Sequence, residues 1–315
     1  MKETAIAVGI LKRGAQVLIA KRQKGQHLGG FWEFPGGKVA EGETPKQALV
    51  REFQEEVGVM TDQWRPLIEM PWRYDDRQLR LHFWVCDVFE GVPKGCEGQV
   101  VKWLDVDQLD HHDFPPANRG GVHALQLPNQ MMVTGRFDGL NDAMARLSSA
   151  LEAGVRLVQL RNKALDEMAF FAWAREAIEL CHSQGAQVVV NGPAQWLSAL
   201  PEADGLQLSS ASLMQLTQRP PQTLGRWLGA SVHDPVEMAR AIELGADYLL
   251  LSPVQTTESH PDMTPLGWPK FAEWVKDCPV PVYALGGVKS GDVDQARASG
   301  GQGIAAISGL WPQPL

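Results

Sequence analysis

The apolar and polar positions of the chain follow two different rhythms, and the change between them falls near residue 120. Before that point, short apolar runs are typical of strands, while apolar residues recur every four positions in Pro45–Val57, as expected of a helix. The stretch His111–Pro128 is rich in proline and glycine and predicts a loop and linker with room for one helical turn. Together these features predict a mixed α+β domain over residues 1–128. Its predicted strands are Ala5–Leu11, Gln16–Ala20, Leu79–Phe89 and a run near Val100–Leu104.

The second part of the chain is more regular. Short, continuously apolar strands alternate with amphipathic stretches of helical length, such as Asp166–Gln184 and Pro235–Leu244. Continuous apolar strands between helices are what a parallel sheet covered on both faces requires. Eight repeats of this unit predict a (β/α)8 barrel of the TIM type over residues 129–315, which is short for that fold. The predicted barrel strands are Met131–Thr134, Leu157–Arg161, Gln187–Asn191, Gly205–Ser209, Trp227–Ser231, Tyr248–Pro253, Val282–Gly287 and Gly303–Ser308.

Composition and charge narrow the class of protein. The 315 residues are 44% hydrophobic and 21% charged, with 31 glycines and 4 cysteines, which excludes disordered, collagen-like and disulfide-scaffold proteins. The length agrees with two domains of ordinary size. The net charge of −8 argues against a nucleic-acid polymer as partner, because such a surface needs a basic patch. A nucleotide substrate is still compatible, since metal ions can meet its phosphates.

The cysteines and the amino terminus indicate the compartment. The four cysteines show neither a CxxC pair nor metal-ligand spacing and are expected to be reduced thiols. The apolar run Ala5–Leu11 is interrupted by Gly9 and followed by Lys12 and Arg13, without the cleavage site of a signal peptide. No apolar segment approaches the roughly 20 residues that span a bilayer. We therefore expect a cytoplasmic protein without a membrane partner.

The predicted helix of the first domain carries a concentration of carboxylates. Thr44 is a good N-cap for this helix, and Gly58 can supply a left-handed stop. Glu52, Glu55 and Glu56 lie at positions i, i+3 and i+4, so they are predicted to project together from one face. Carboxylates so close repel one another, and Mg²⁺ or Mn²⁺ would neutralise them while leaving positions open for phosphate oxygens and water. The alternative is an ordinary solvated acidic face.

These glutamates belong to a longer motif. The segment from Gly37 to Val59 fits the pattern G-x5-E-x7-R-E-U-x-E-E-x-G-U, in which U is apolar, at every position. Within it, Arg51 can hold the preceding loop by pairing with Glu43. The pattern is the Nudix box, and most of residues 1–128 resembles the MutT-type Nudix hydrolases, the 8-oxo-dGTP diphosphatases. The other matching stretches are Ile6–Ile10, Glu33–Lys38 and Asp113–Asn118.

That resemblance implies metal-binding and catalytic residues. Glu52 is the leading candidate to orient or deprotonate the attacking water, with Glu55 as a second catalytic carboxylate and Lys38 stabilising the transition state. The prediction that Glu97 is a metal ligand depends on the shorter match Gly95–Gln99. The alternative is that Glu97 is an ordinary loop glutamate in solvent. The implied reaction is hydrolysis of a nucleoside triphosphate to the monophosphate and pyrophosphate, with attack at the β-phosphorus. The implied ligands of Mg²⁺ or Mn²⁺ are the Gly37 carbonyl and the carboxylates of Glu52, Glu55, Glu56 and Glu97.

The same resemblance implies how the base is recognised. Asn118 occupies the position of an asparagine that follows a Phe-Pro-Pro-Ala run and reads the purine edge. An amide both donates and accepts, so it can meet the O6 and N7–H pattern that distinguishes 8-oxoguanine from guanine. Asn118 and four other residues together favour a purine nucleoside triphosphate, 8-oxo-dGTP, as substrate over ADP-ribose or a dinucleotide. Each of the four alone could be an ordinary surface or core residue. These four residues are Arg22, Phe34, Asp76 and Arg77.

Motifs at the carboxyl ends of the predicted barrel strands suggest a second site. The second strand ends in a Q-x-R-x-K run, and the seventh ends in a glycine pair of the kind that commonly exposes N–H groups to a phosphate. A plain strand-to-helix turn is the alternative for the glycine pair. Over about residues 130–309 these motifs resemble thiamin phosphate synthase and its TenI relatives. The implied phosphate or ligand residues are Gln159, Arg161, Lys163, Ser231, Gly286, Gly287 and Ser308.

Departures from that family's pattern limit what the barrel is expected to do. Where the family has Asn-Asp after the third strand, this chain has Asn191 and Gly192, so one Mg²⁺-binding aspartate is missing. The fourth-strand motif runs from Gly205 to Ala211 without the second metal aspartate, and His260 replaces a lysine. A Mg²⁺ site is therefore not expected. We expect the barrel to bind a phosphorylated small molecule, or to serve as scaffold, rather than to synthesise thiamin phosphate.

Two alternatives stay open at the level of sequence. In the first, the protein is a bifunctional thiamin-pathway enzyme, whose amino-terminal domain hydrolyses a thiamin-related diphosphate and whose barrel is a synthase or a TenI-like isomerase. Asn118 argues against it, and activity on thiamin diphosphate would favour it. In the second, the barrel is a regulatory module that binds a phosphorylated ligand or a partner. A changed ligand response after deletion of residues 130–315 would favour the second.

Overall fold

The computed structural model describes residues 3–25, 27–257 and 264–313. His260, which stands where the resembling family has a lysine, lies outside the described residues. The predicted domain boundary at residue 128 stays a prediction. The chain divides into two compact units, which are Met1–Gln126 with Lys276–Pro279, and Leu127–Val275 with Val280–Leu315.

A mixed sheet forms the centre of the first unit. Its described strands are β1 (Glu3–Arg13), β2 (Gln16–Lys21), β3 (Trp32–Glu33), β4 (Gly36–Lys38), β5 (Met60–Thr61), β6 (Arg65–Arg73), β7 (Gln78–Cys86), β8 (Phe89–Glu90) and β9 (Val101–Asp105). The main sheet has the order β3-β2-β1-β7-β6, with β4 added to β1 and β9 added to β2, while β5 pairs with β8. Strands β1 and β7 run parallel, and the other pairs are antiparallel. The expected mixed α+β fold is confirmed.

Strand β6 is long, yet the hydrophobic pattern does not predict it. It contains Pro66 and Pro71, and proline cannot donate a hydrogen bond to a ladder. Among the described strands β6 lies at the end of the sheet order and pairs with β7 alone. At an edge a strand can turn the nitrogen of a proline away from its one neighbour, which explains why the sheet tolerates both prolines.

The glutamate-bearing helix begins as predicted but changes its winding in its last turn. Helix α1 (Pro45–Glu52) starts at Thr44 with a capping box, in which side chain and backbone satisfy each other's hydrogen bonds. The following residues, Phe53–Val57, form a π-helical turn that ends at Gly58, which has a φ of 72°. The helix predicted over Pro45–Val57 thus keeps its bounds, but its last 5 residues are π-helical rather than α-helical. A π turn closes i to i+5 hydrogen bonds, a change that hydrophobic periodicity does not reveal.

The segment predicted as a linker contains a second helix. Helix α2 (Arg119–Gln126) follows a short 3-10 turn at Pro116–Asn118. A Cβ atom on Gly121 would overlap the ring of Phe83, so this glycine lets α2 pack directly on the sheet. The prediction of loop and linker over residues 111–128 is therefore wrong for α2. Glycine lowers helix propensity, and this explains the error.

The sheet separates two cores, each closed by one helix. Ala7 of β1 packs with Phe53 on the α1 side, whereas the next residue, Val8, packs with Val122 on the α2 side. Alternate positions of the strand thus face different cores, as the geometry of a strand requires. A further 3-10 turn of this unit spans Val106–His111.

The second unit is the predicted parallel barrel. All eight strands predicted for it are confirmed among its described residues, and each pairs in parallel with the next until the last closes on the first. The strands are β10 (Gln130–Val133), β11 (Leu157–Leu160), β12 (Gln187–Asn191), β13 (Gly205–Leu208), β14 (Trp227–Val232), β15 (Tyr248–Leu251), β16 (Val282–Leu285) and β17 (Gly303–Ala306).

Helices connect the barrel strands, as expected for this fold. They are α3 (Leu140–Glu152), α4 (Glu167–Ser183), α5 (Trp196–Ala199), α6 (Ser210–Gln215), α7 (Pro235–Glu243), α8 (Gly267–Val275) and α9 (Val293–Ala298), with 3-10 turns at Pro221–Thr223 and Ser290–Asp292. Asp166 and Asp234 cap α4 and α7 through their side chains, which fixes the start of the two helices predicted from sequence. No helix in the described part of the chain is long and apolar enough to cross a membrane.

Candidate active site

A guanidinium group organises the loop before the glutamates. Arg51 lies in the last turn of α1, and its Nε and Nη2 donate to the two carboxylate oxygens of Glu43 at 3.1 and 3.0 Å. Nη2 also donates to the carbonyl of Lys38 at 3.3 Å, and Nη1 donates to Glu52 Oε1 at 2.6 Å. The predicted pairing of Arg51 with Glu43 is confirmed, and its hydrogen bonds lower the pKa of Glu43. One side chain thus fixes both the loop and Glu52.

The three glutamates of this helix differ in their exposure. The side chain of Glu52 is 14% exposed and that of Glu55 is 60% exposed, and both carboxylates contact Arg51 Nη1, at 2.6 and 3.5 Å. Glu56, in the π turn, is half-buried. The prediction that the three project together from one face stays a prediction, and Glu55 is the most exposed of them. Glu52 and Glu56 are the carboxylates that the fold withdraws from solvent.

Negative charge accumulates around Glu56. The pKa of its carboxyl is raised to about 7, first by burial and then by repulsion from Glu52, Glu97 and Glu33, against a hydrogen bond from the Gly36 backbone. A divalent cation would relieve this repulsion, and carboxylate oxygens are ligands that Mg²⁺ and Mn²⁺ prefer. No group of three or more His, Cys, Asp or Glu side chains in the described residues is already arranged to hold a metal ion. The carboxylate oxygens around Glu56 are thus suitable ligands for a divalent metal ion, although they do not form a complete ligand shell in the described residues.

The backbone of a glycine strand lies directly against Glu52. Strand β4 pairs with β1 so that Gly37 lies opposite Ala7. A Cβ atom on Gly37 would overlap the Glu52 carboxylate, so glycine is required for this close approach. We call this pair, the Gly37 backbone and the Glu52 carboxylate, the Gly37 cradle. The sequence predicts that both groups bind the same metal ion. Lys38 ends the strand with an exposed side chain.

Arg22 pairs with Glu33 of β3, and its charge also acts on a hairpin turn. Its Nη1 donates to Glu33 Oε2 at 2.7 Å, and burial raises the pKa of Glu33 while Arg22 opposes that shift. In the turn between β6 and β7, burial raises the pKa of Tyr74, and the charges of Arg22 and Arg77 oppose it. Arg77 lies 5.4 Å from the centre of the Tyr74 ring, whereas Asp76 is 71% exposed and contacts Arg77 at 3.4 Å. The structure thus gathers Arg22 and Arg77 around Tyr74 and leaves Asp76 in solvent.

Asn118 directly follows Ala117, which packs in the same core as the Phe34 and Phe114 rings. The ring of Phe34 is buried against that of Phe114, with centroids 5.4 Å apart, and the Trp32 amide donates to the Asp113 carbonyl at 2.8 Å. These contacts hold the segment that leads to Asn118 along β3. Asn118 is 9% exposed, and its side-chain amide makes no hydrogen bond to another described residue. A sheltered amide of this kind can accept from and donate to the edge of a planar base.

Sequence reasoning missed three residues of this region. Glu33 and Gln99 lie inside the matched stretches, but nothing in the pattern indicates that Glu33 pairs with Arg22 or that Gln99 bonds to Glu56. Tyr74 precedes a charged turn and shows no periodic signal. A partner distant along the chain defines each of them, so sequence position alone could not identify them.

The barrel strands place a cation at the carboxyl end of β11. Arg161 follows this strand, and the Thr134 hydroxyl accepts from its backbone N–H at 2.8 Å and donates to its carbonyl at 2.9 Å. Burial lowers the pKa of Arg161, and its guanidinium has no ion-pair partner among the described residues. Gln159 is buried with its Oε1 unpaired in the described structure, while Lys163 is exposed. A desolvated cation without a counter-charge suits an anionic ligand.

The glycine pair after β16 is packed too tightly for side chains. Gly286 and Gly287 have φ angles of 91° and 72°, and a Cβ atom on either would overlap the segment that follows β15. Ser231 of β14 accepts a hydrogen bond from Gln207 Nε2 at 3.1 Å, and Ser308 is exposed after β17. These residues therefore lie at the same end of the barrel as Arg161, where barrels of this type bind ligands.

The ring of Trp196 occupies the space next to Gly192, the position at which the resembling family has a Mg²⁺-binding aspartate. A Cβ atom on Gly192 would overlap the ring of Trp196. That ring is fixed by packing on Phe170, with centroids 4.6 Å apart, and by a hydrogen bond from Nε1 to Glu167 Oε2 at 3.0 Å. The residues present at this position do not fit a metal ion, because an indole ring stands where a carboxylate would be needed.

The first unit thus has a mixed sheet, a glycine strand and a glutamate helix, and the second is a closed parallel barrel. The family described as "NUDIX domain" matches residues 6–124, and the family described as "Thiamine monophosphate synthase" matches residues 130–310. An 8-oxo-dGTP diphosphatase of Escherichia coli (strain K12) is 42% identical over 127 residues, covering 40% of this chain and 98% of that protein.

Two further comparisons follow, one for each part of the chain. A thiamine-phosphate synthase of Prochlorococcus marinus (strain MIT 9313) is 31% identical over 198 residues, which are 62% of this chain and 56% of that protein. A solved structure from a study of MutT from Aliivibrio salmonicida and Vibrio cholerae is 36% identical, covering 38% of this chain and 94% of that chain, with a TM-score of 0.34. The chain belongs to the Nudix family in its amino-terminal half and to the thiamine monophosphate synthase family in its carboxyl-terminal half. It is a Nudix hydrolase fused to a barrel.

Proposed function

We propose that this protein hydrolyses 8-oxo-dGTP to 8-oxo-dGMP and pyrophosphate in the cytoplasm, and so removes an oxidised purine from the nucleotide pool. The observation that carries the proposal is the sheltered amide of Asn118, which makes no side-chain hydrogen bond to another described residue and lies in the same unit as the Glu52 and Glu56 carboxylates. The 8-oxo-dGTP diphosphatases to which the chain is similar support it.

The charge and the glycine cradle around Glu52 support a metal-assisted reaction. Mg²⁺ or Mn²⁺ held by Glu52, Glu56 and the Gly37 carbonyl, with Glu55 and Glu97 at the rim, would neutralise the charge of the phosphate chain. Arg51 Nη1 holds Glu52 Oε1 at 2.6 Å, which leaves the second carboxylate oxygen to accept a proton from the attacking water. We assign transition-state stabilisation to Lys38, the exposed cation next to Gly37.

The base side provides the selectivity. The Asn118 amide can donate to O6 and accept from N7–H of 8-oxoguanine, whereas guanine has no hydrogen on N7. Phe34 packs in the wall beside it, and Arg22 and Arg77 are the nearby cations for the nucleotide, with Asp76 at the exposed tip of the turn. A site built on such a pattern disfavours the wrong base because its polar groups are left unpaired.

A substrate screen tests this proposal. The full chain is assayed with 8-oxo-dGTP, dGTP, ADP-ribose and thiamin diphosphate, and the products are separated by chromatography, because ADP-ribose would give AMP and ribose 5-phosphate, and thiamin diphosphate would give orthophosphate, rather than pyrophosphate. We expect kcat/KM to be highest for 8-oxo-dGTP, by about 10²-fold or more over dGTP, as hydrogen-bonded discrimination allows. Equal rates on 8-oxo-dGTP and dGTP would contradict the proposal, and the highest rate on thiamin diphosphate would support a thiamin-pathway enzyme instead.

For the barrel we infer a binding function without thiamin phosphate synthesis. Arg161 supplies a desolvated cation, and the Gly286–Gly287 backbone and Ser231 lie at the same end of the barrel. With Trp196 standing over Gly192, however, the residues present offer no place for the ion that would help a diphosphate to leave. The ligand is therefore a phosphorylated small molecule that the barrel holds intact, with Gln159, Lys163 and Ser308 as further contacts.

Arg161→Ala tests this inference. We expect it to weaken binding of thiamin phosphate by about 10-fold or more, because a charge-assisted hydrogen bond contributes about 1.5–3 kcal/mol. Calorimetry in EDTA keeps metal-dependent binding at the first unit out of the measurement. Arg175→Ala, an exposed arginine on α4, is the control and is expected to bind like wild type. Equal binding by wild type and Arg161→Ala would contradict this ligand assignment.

A further inference from the structure

The loop that carries Glu97 is bonded to the end of the glutamate helix. This loop lies between β8 and β9, and its Lys94 and Cys96 amides donate to the carbonyls of Val57 and Glu56 at 3.0 and 2.9 Å. Carbonyls at the end of a helix have no partner within it, so the loop satisfies them. The backbone after the π turn thus determines where the loop lies.

One side chain links the two glutamates directly. Gln99 Nε2 donates to the Glu56 carbonyl at 3.0 Å, and Gln99 Oε1 accepts from the Glu97 amide at 2.9 Å. Both halves of the Gln99 amide are used, and the Glu56 carbonyl accepts two hydrogen bonds, one from Cys96 and one from Gln99. From the other side, Gln23 Nε2 donates to the Glu97 carbonyl at 2.7 Å. The backbone of Glu97 is therefore held at both its N–H and its C=O, although its side chain is exposed.

We propose that Gln99 is a positioning residue that fixes the Glu97 backbone at the distance from Glu56 needed for both carboxylates to bind one metal cluster. This rests on the proposed function, because it assumes that Glu56 and Glu97 are metal ligands. Gln99 has no charge and does not reach the metal site itself; it acts through the two backbones. Without Gln99, the Glu97 backbone loses one of its two side-chain hydrogen bonds, the one to its N–H. Ordering Glu97 when the metal binds then costs more conformational entropy.

Mn²⁺ binding followed by electron paramagnetic resonance tests this role without relying on turnover. The variants are Gln99→Met, which keeps the side-chain length without hydrogen-bonding atoms, Glu97→Gln, and the two combined. We expect Gln99→Met to weaken Mn²⁺ binding by about 10-fold, as loss of a group that orients metal ligands typically does. In the Glu97→Gln background the same substitution should change little, because Gln99 acts through Glu97. The apparent activation constant for Mg²⁺ should rise with kcat at saturating Mg²⁺ nearly unchanged.

Controls separate positioning from loss of structure. Gln54→Met changes an exposed glutamine on the π turn that makes no side-chain hydrogen bond to a described residue, and it should bind Mn²⁺ like wild type. Thermal unfolding of each variant shows whether the fold is kept, and Gln99→Ala provides a second, smaller replacement if Gln99→Met does not fold.

The outcomes distinguish this proposal from the proposed function. Unchanged Mn²⁺ binding in Gln99→Met, or an equal loss with and without Glu97, would overturn the positioning role. Wild-type Mn²⁺ binding in Glu52→Gln would instead overturn the metal site itself, since Glu52 makes no contact with Gln99 in the described hydrogen bonds.

Discussion

Glu52→Gln is expected to lower kcat/KM for 8-oxo-dGTP by about 10³-fold or more. The substitution removes the charge that a metal ion needs at the Gly37 cradle and the base that accepts the proton from water, and a general base alone contributes about 10²–10⁴-fold. The fall in kcat/KM is measured from pyrophosphate release over a range of Mg²⁺ concentrations. The loss should persist at saturating Mg²⁺, because the proton acceptor is gone.

The fold should tolerate this change. Glu52→Gln breaks one ion pair, that of Glu52 with the partly exposed Arg51, and such pairs contribute about 1 kcal/mol or less to the free energy of unfolding. Arg51 keeps its two bonds to Glu43. Glu41→Gln, an exposed glutamate in the same motif, is the matched control and should retain full activity. Substantial turnover by Glu52→Gln would show that another residue serves as the base.

The barrel could be predicted almost completely because its signals are local. Most residues of these strands are buried and apolar, as in Val188–Val190 and Tyr248–Leu251. In the first unit, the elements that escaped prediction are those in which tertiary contacts override local preference. The prolines of β6 are tolerated only at an edge, and the glycines of α2 are favourable only because the helix lies against Phe83.

The candidate site divides in the same way. The Glu52, Glu55 and Glu56 set is contained in one short motif, so sequence spacing identifies it, but spacing does not reveal the π turn at Phe53–Val57 or the exposure of Glu55. Gln99 binds to Glu56 across 43 positions, a separation that no local pattern encodes. Spacing thus identifies the candidate carboxylates, whereas a residue proposed to position them, such as Gln99, can be found only from the fold.

Asn118→Ala is expected to lower the preference for 8-oxo-dGTP over dGTP by about 10²-fold. Without the amide, O6 and N7–H of 8-oxoguanine lose their partners at a site that is only 9% exposed, and each buried polar group left unpaired costs about 1–3 kcal/mol. Guanine lacks the N7–H and so has less to lose. The loss should therefore appear mainly in kcat/KM for 8-oxo-dGTP.

Steady-state hydrolysis of both nucleotides by the same preparations decides this prediction, because selectivity is a ratio and does not depend on the active fraction. Asn118→Asp should lower kcat/KM for both nucleotides but keep a preference for 8-oxo-dGTP, since a carboxylate cannot donate to the O6 that both bases share but still accepts from the N7–H that only 8-oxoguanine has. Asn141→Ala, an exposed asparagine on α3, is the control and should keep the wild-type ratio. An equal fall for 8-oxo-dGTP and dGTP would mean that Asn118 holds the 3-10 turn before α2 in place and that another residue reads the base.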